Sequence, residues 1–158
     1  MPSAKVVVKD LGYHKILEGF SQLDGTVIEA GLFEDAGEHD GIHLAQIGFY
    51  NEYGTDTAPP RPWLSGGAEH VERKAMAEIV RIVQNCENIP YGRRLMRKLA
   101  KQIADGIRVY AKFGPFVGNA PSTIRQKGFD WPLIETGDMV AAIDGRVVFG
   151  KARVRRRR

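Results

Sequence analysis

The chain has 158 residues, 43% hydrophobic and 27% charged, the balance of an ordinary globular protein rather than of a disordered or collagen-like one. Its one cysteine, Cys86, excludes an internal disulfide framework and a multi-cysteine zinc site, and no run of roughly 18 apolar residues or apolar leader suggests a membrane span or a secretion signal. The formal charge of +4 belongs to a tail, since Arg155, Arg156, Arg157 and Arg158 account for all of it and the rest of the chain is formally neutral.

Ala4 to Lys9 (AKVVVK) is a β-branched run that predicts a strand. Leu11, Ile16, Leu17, Phe20 and Leu23 fall near helical spacing and predict a short helix ending at Asp24-Gly25. Thr26 to Phe33 (TVIEAGLF) predicts a second strand, followed by a polar loop from Glu34 to Gly41. Ile42, Ala45, Ile47, Phe49, Tyr50 and Tyr53 predict a helix that Gly54 stops. Thr55 to Pro62 cannot be helical, because Pro59, Pro60 and Pro62 remove donors and hold the preceding residues extended. Ser65 is placed to cap the next helix, which runs to Gln84 with Val71, Ala75, Ile79, Ile82, Val83 and Cys86 along one side.

Past Pro90, Tyr91 to Phe113 is the longest amphipathic segment, with Leu95, Met96, Leu99, Ile103, Ile107 and Tyr110 on its stripe. Gly114 to Pro132 is expected to be irregular. Thr136-Gly137-Asp138 opens a turn or short helix from Met139 to Ile143, and Asp144-Gly145 is a hairpin signal leading into a last strand, Arg146 to Val154. This order predicts an α+β fold: a small antiparallel sheet packed against two to four helices, with a long proline-rich loop. One domain is expected over residues 1–150, with a basic extension at 151–158.

Few residues are spaced for chemistry. Glu38, His39, Asp40 and His43 include two histidines at i and i+4, a metal-binding spacing on a helix. Gly41 lies between them and Asp40-Gly41 is a turn pair, so an exposed polar loop is the better expectation. His14 and His70 stand alone, and Cys86 falls on an apolar stripe as a small core residue. Ser65-Gly66-Gly67 lacks the lysine and the preceding strand of a phosphate loop, no serine sits in a nucleophile elbow, and no two carboxylates form a defined pair. No catalytic residue, cofactor or metal is therefore predicted.

Opposite its apolar stripe, the Tyr91 to Phe113 segment carries Arg94, Arg97, Lys98, Lys101, Arg108 and Lys112; with Arg93, these cations face Asp105 alone. The face is either the solvated side of an amphipathic helix or a contact surface for DNA or an acidic protein. No aromatic residues interleave with the charges as a single-strand binder requires. The arginine end is likewise either a solubilising terminus or an electrostatic arm.

Two stretches carry a resemblance. Leu44 to Leu64 (LAQIGFYNEYGTDTAPPRPWL) joins an apolar helix ending in Asn51-Glu52-Tyr53-Gly54-Thr55 to Pro60-Arg61-Pro62-Trp63-Leu64. Asn119 to Ile143 holds Pro121-Ser122-Thr123, then Lys127-Gly128, then Pro132-Leu133-Ile134 and Thr136-Gly137 before Met139. In this order, with two helices between, the chain resembles the neck or tail-completion proteins of long-tailed bacteriophages and prophages, which include minor tail components and virion morphogenesis proteins.

The resemblance implies a non-enzymatic subunit of a ring, a hexamer by family analogy, at the head–tail junction or at the end of the tail tube as a terminator. Its partners would be itself, connector or head-closure proteins, and tail-tube or other tail proteins, with DNA passing through the channel and no membrane. Its place would be the neck or tail of the virion, and the host cytoplasm during assembly. Tyr53, Arg61, Trp63 and Leu64 would form an interface, since prolines stiffen this segment and Trp and Arg are the residue types that anchor interfaces. Trp63 either protrudes on that arm or folds back onto its own core. Arg94, Arg97, Lys98, Lys101 and Arg155 to Arg158 would meet DNA or an acidic surface. The alternative from another class is a small basic nucleic-acid-binding protein using the same cations.

Overall fold

The computed structural model describes residues 12–85 and 88–150, so the strand expected at Ala4 to Lys9, Cys86 and the arginine tail lie outside the described residues. The elements in chain order are α1 (Tyr13–Leu23), β1 (Val27–Gly31), β2 (Glu38–His39), β3 (Ile42–His43), α2 (Leu44–Tyr53), α3 (Trp63–Gln84), α4 (Ile89–Phe113), α5 (Pro121–Lys127), α6 (Asp138–Ala141) and β4 (Asp144–Val148). The fold is α+β, as the order of periodicities predicts.

The long helices α3 and α4 pack as a hairpin because small residues let their backbones close. A Cβ on Gly67 would stand 3.1 Å from the Ile107 Cα, and one on Gly106 would stand 2.1 Å from the Val71 Cγ1. β4 crosses α4 on its other side and pairs antiparallel with β1, from Val27 opposite Val148 to Gly31 opposite Asp144. Asp144-Gly145 is therefore not a hairpin turn. Gly145 lies inside the strand opposite Ala30, where a Cβ would stand 1.9 Å from the Ala100 carbonyl oxygen. A glycine in a strand interior marks such a close backbone approach as readily as it marks a turn.

Two further expectations are corrected. The turn pair Asp40-Gly41 does turn the chain, with φ of 51° and 76°, but it joins the short strands β2 and β3 in a hairpin rather than lying in a loop. α2 accordingly begins at Leu44, after Ile42 has gone to β3. The stretch expected to be irregular contains α5, which opens on Pro121 in its first turn and closes at Gly128 with φ 81°.

One buried cluster joins Leu44, Trp63, Ala104, Ile107, Ala111, Leu133, Met139, Val140 and Ile143. A second joins Ile82, Met96 and Leu99, and Ile103 packs against both. Full burial of side chains such as Ile107, Val140 and Ile143 contributes about 1.5–3 kcal/mol each before entropy is counted. No helix among the described residues is long and apolar enough to cross a membrane.

Candidate assembly interface

The segment from α2 into α3 is rich in backbone contacts, and Asn51, Glu52, Arg61 and Ser65 each make specific polar bonds in it. Gly48 faces inward on α2, where a Cβ would stand 2.5 Å from the Leu32 Cδ1 and 3.0 Å from the Trp63 ring. That gap admits the indole of Trp63, whose Nε1–H donates to the Gly48 carbonyl at 2.9 Å. Trp63 is only 2% exposed. Of its two sequence-level placements the structure takes the core, so Trp63 is no protruding anchor.

Glu52 follows one turn after Gly48 and is also buried. Its carboxylate accepts from the Leu64 N–H at 2.8 Å, the Ser65 N–H at 3.1 Å and the Ser65 hydroxyl at 2.6 Å. A negative charge thus meets the orphan donors and positive dipole end of α3. Ser65 is therefore not the cap. It lies inside the first turn of α3 and donates to the carboxylate that caps it.

Gly54 ends α2 with φ 75°, in a place where a Cβ would crowd the Ala58 carbonyl and the Pro60 nitrogen at 2.8 Å. The chain turns between Thr55 and Ala58 and comes back, so that the Arg61 N–H donates to the Asn51 carbonyl at 2.7 Å. The prolines shape a strap against the end of α2, not a free arm. Arg61 is buried: its Nε donates to the Val117 carbonyl at 2.9 Å, and its Nη2 to the Gly118 carbonyl at 3.1 Å and the Asn119 Oδ1 at 3.3 Å. Charge-assisted bonds to backbone carbonyls clamp the loop after α4 onto the strap. Leu64 packs half-buried against the core. Arg61, Trp63 and Leu64, expected at an interface, instead hold the chain to itself.

The same contacts bring together the two stretches that carry the resemblance. Arg61 reaches Asn119, and the Asn51 amide donates to the Ile47 carbonyl and approaches the Met139 sulfur at 3.7 Å. Between them lies a polar notch lined by Asn51, Arg61, Asn119, Lys127, Glu135 and Asp138, among others. Burial there holds the Lys127 ammonium below the usual lysine range, partly opposed by the Glu135 charge.

What this frame presents outward is aromatic. Phe49, Tyr50 and Tyr53 are 59%, 43% and 69% exposed on the side of α2 away from Gly48 and Glu52. The Phe49 and Tyr53 rings stand 4.8 Å apart, and the Gln46 amide donates to the Tyr50 hydroxyl at 2.6 Å. Tyr53 is the one residue of the expected interface that remains at the surface. The sequence signal for the other two was present: α2 is apolar on both sides, and only one side finds a core.

The basic face of α4 divides in two. Arg94, Arg97 and Lys98 are exposed near its start. The Arg93 and Arg97 guanidiniums lie over the Phe149 ring at 4.9 and 5.1 Å, and Arg93 donates to the Gln22 Oε1 at 2.9 Å. Further along, Lys101 and Arg108 are engaged at home. Lys101 pairs with Asp144 at 2.5 Å, and Arg108 bonds Asp105 and the Ile143 carbonyl. The hydrogen bond from Lys101 holds the Asp144 carboxyl below its ordinary range, and the one from Arg146 does the same for Asp35.

His39 and His43 turn to separate partners rather than to one point. His39 Nδ1 lies 3.2 Å from an Asp138 oxygen, while His43 Nδ1 accepts from the Ala45 N–H at 3.2 Å and caps α2. Among the described residues no group of three or more His, Cys, Asp or Glu side chains is gathered to hold a metal ion. Comparison with known protein families, with curated proteins and with solved structures finds no match to this chain.

Proposed function

We propose that the chain is a non-enzymatic structural subunit of the bacteriophage neck or tail, a tail-completion or terminator ring that joins connector and tail tube. The supporting observation is the exposed aromatic ridge Phe49, Tyr50 and Tyr53, displayed on a helix whose inward side is braced by Gly48, Glu52 and Trp63. The first family-like stretch supplies that brace, and the second packs on it through Arg61–Asn119 and Asn51–Met139. Their polar side chains bond backbone groups and one another, which suits a display surface better than a reactive centre.

A rigid aromatic ridge loses little entropy on docking, so its buried area converts efficiently into affinity. Truncating an anchor of this kind typically costs about 2 kcal/mol or more, roughly thirtyfold in dissociation constant. The test is the double variant Phe49→Ser/Tyr53→Ser, introduced into the strain that makes the particles. The variant chain should fold normally, yet leave heads and tails unjoined or tails unfinished. Normal particle yield, or purified virions that contain none of the chain, would overturn the reading.

A second reading, a small nucleic-acid-binding protein, has one observation in its favour: Arg94, Arg97 and Lys98 stand exposed together at the start of α4. Its test is the tail truncation developed below.

A further inference from the structure

We infer that copies of this chain meet head to tail, the basic end of the β1–β4 pair on one copy against the acidic end on the next. This deepens the assembly reading and rests on it. At the Val27–Val148 end of the strand pair, Phe149 lies under Arg93 and Arg97, and Arg94 and Lys98 stand exposed on the same turns of α4.

At the opposite, Gly31–Asp144 end, residues 34–43 carry Glu34, Asp35, Glu38 and Asp40, all exposed, and no lysine or arginine. His39 ties this hairpin to Asp138, whose notch holds Glu135 together with Arg61 and Lys127, so the unbalanced acids of this end are those of residues 34–43. Arg146 engages Asp35, but Glu34 and Glu38 have no ion-pair partner among the described residues.

Three physical points make these ends a matched pair. The strands separate them by five residues, about 17 Å at ~3.4 Å per residue, whereas charges are screened over about 8 Å at physiological salt. The ends therefore do not neutralise each other within one copy. Cations near the start of α4 also oppose its dipole, and its first turn holds no acid, so helix stability does not account for them. Finally, both ends adjoin helices with exposed apolar side chains: α1, which meets the start of α4 through Gln22 and Arg93, exposes Leu17 and Phe20, and α2, which follows the acidic hairpin directly, exposes Phe49, Tyr50 and Tyr53. A two-fold contact made through either end alone would set like charges together. Two different ends joining is a heterologous contact, which generates a ring where the rotation between copies closes and a filament where it does not. A nucleic acid would satisfy the basic end alone and be repelled by the other.

The test uses two charge reversals of exposed residues in the full chain, Arg94→Glu/Lys98→Glu and Glu34→Lys/Glu38→Lys, each checked for an unchanged melting temperature. Self-association is followed by sedimentation velocity at about 0.01 M and about 1 M salt, where the screening length is about 30 and about 3 Å. Wild type should associate at low salt and dissociate at high salt. Each variant alone should associate roughly tenfold more weakly or worse, and an equimolar mixture of the two should recover the complex. A wild type that is monomeric at both salts, a variant that associates as wild type does, or a mixture that fails to recover overturns the head-to-tail contact. The ridge variant reports on the assembly reading separately, since particles can fail through Phe49 and Tyr53 while the charge reversals do nothing. Loss of duplex DNA binding in the Arg94/Lys98 variant with unchanged self-association would also overturn the inference, in favour of a nucleic-acid partner.

Discussion

Replacing Trp63 by alanine separates a structural tryptophan from an interface tryptophan. The side chain is 2% exposed, lies in the cluster with Leu44, Ala104 and Ile107, and donates its indole N–H to Gly48. Emptying such a site costs about 3–5 kcal/mol in lost transfer energy and residual cavity. The Gly48 carbonyl loses a donor, but as a group within α2 it keeps its helical setting, so the further penalty is at the low end of about 1–3 kcal/mol. Together these predict a loss of about 4 kcal/mol or more, a large part of a typical total of about 5–15 kcal/mol. The melting temperature should fall by roughly 8–16 °C, at about 2–4 °C per kcal/mol for a chain of this size. Trp63→Phe keeps the ring and removes the N–H, and should lose only about 1–2 kcal/mol. Urea denaturation gives the midpoint and the slope for each variant, with Tyr53→Ser as the surface control, expected within about 0.5 kcal/mol of wild type. A Trp63→Ala protein that loses less than about 1 kcal/mol at unchanged slope would show that the indole is not a core group, and would refute the account of the strap.

Gly145→Ala should destabilise the chain by about 2 kcal/mol or more despite being a single added methyl, because the Cβ meets the Ala100 carbonyl, a backbone atom that cannot swing aside; a melting temperature equal to wild type would contradict the close crossing of β4 over α4. The Asp35 and Asp144 carboxyls are held below their ordinary range by Arg146 and Lys101, so their contribution is present above the unfolded aspartate value and is lost as pH falls through the folded values, below about pH 4. Urea midpoints measured from neutral pH downward should fall more steeply for wild type than for Asp35→Asn/Asp144→Asn, and parallel curves would exclude these pairs as the cause. Deleting Arg155 to Arg158 should leave a chain whose DNA binding is weak and sequence-independent, as the full chain's should be, with the defect seen in particle assembly or DNA retention. A tight complex of the full chain at physiological salt, whose log K against log salt slope drops by about 3.6 on deletion, would refute the structural reading in favour of a nucleic-acid binder.

The long helices were legible because their stripes are long. Met96, Leu99, Ile103 and Ile107 repeat over several turns of α4, and all lie in or against the core. β1 was legible from its β-branched start, and α1 from Ile16, Leu17, Phe20 and Leu23, although three of those four side chains end up largely exposed. Short elements were not legible, since two-residue strands have no period to detect and glycine serves several ends. Asp40-Gly41 and Asp144-Gly145 are the same dipeptide, yet the first turns a hairpin at positive φ and the second lies within a strand under Ala100. Only the tertiary crossing of α4 distinguishes them. α5 carried a usable signal, proline at its start and glycine at its end, which the surrounding prolines obscured.

The candidate site shows a different limit. Residue types single out Leu44 to Leu64, but cannot assign the direction in which each side chain points. Trp and Arg are favoured at interfaces for the properties that also make them good internal braces: large area with a donor at the rim, and a planar cation that can satisfy several carbonyls at once. Which use applies depends on the space opposite. Gly48 provides that space for Trp63, and the Val117 to Asn119 backbone provides the acceptors for Arg61. With both braces turned inward, a helix of ten residues is held at its middle by an indole and at its end by a buried carboxylate. Phe49, Tyr50 and Tyr53 then have no inward direction left to take. Their exposure follows from how fully the opposite side of α2 is occupied, and the contact surface proposed above therefore lies on the residues between the conspicuous ones.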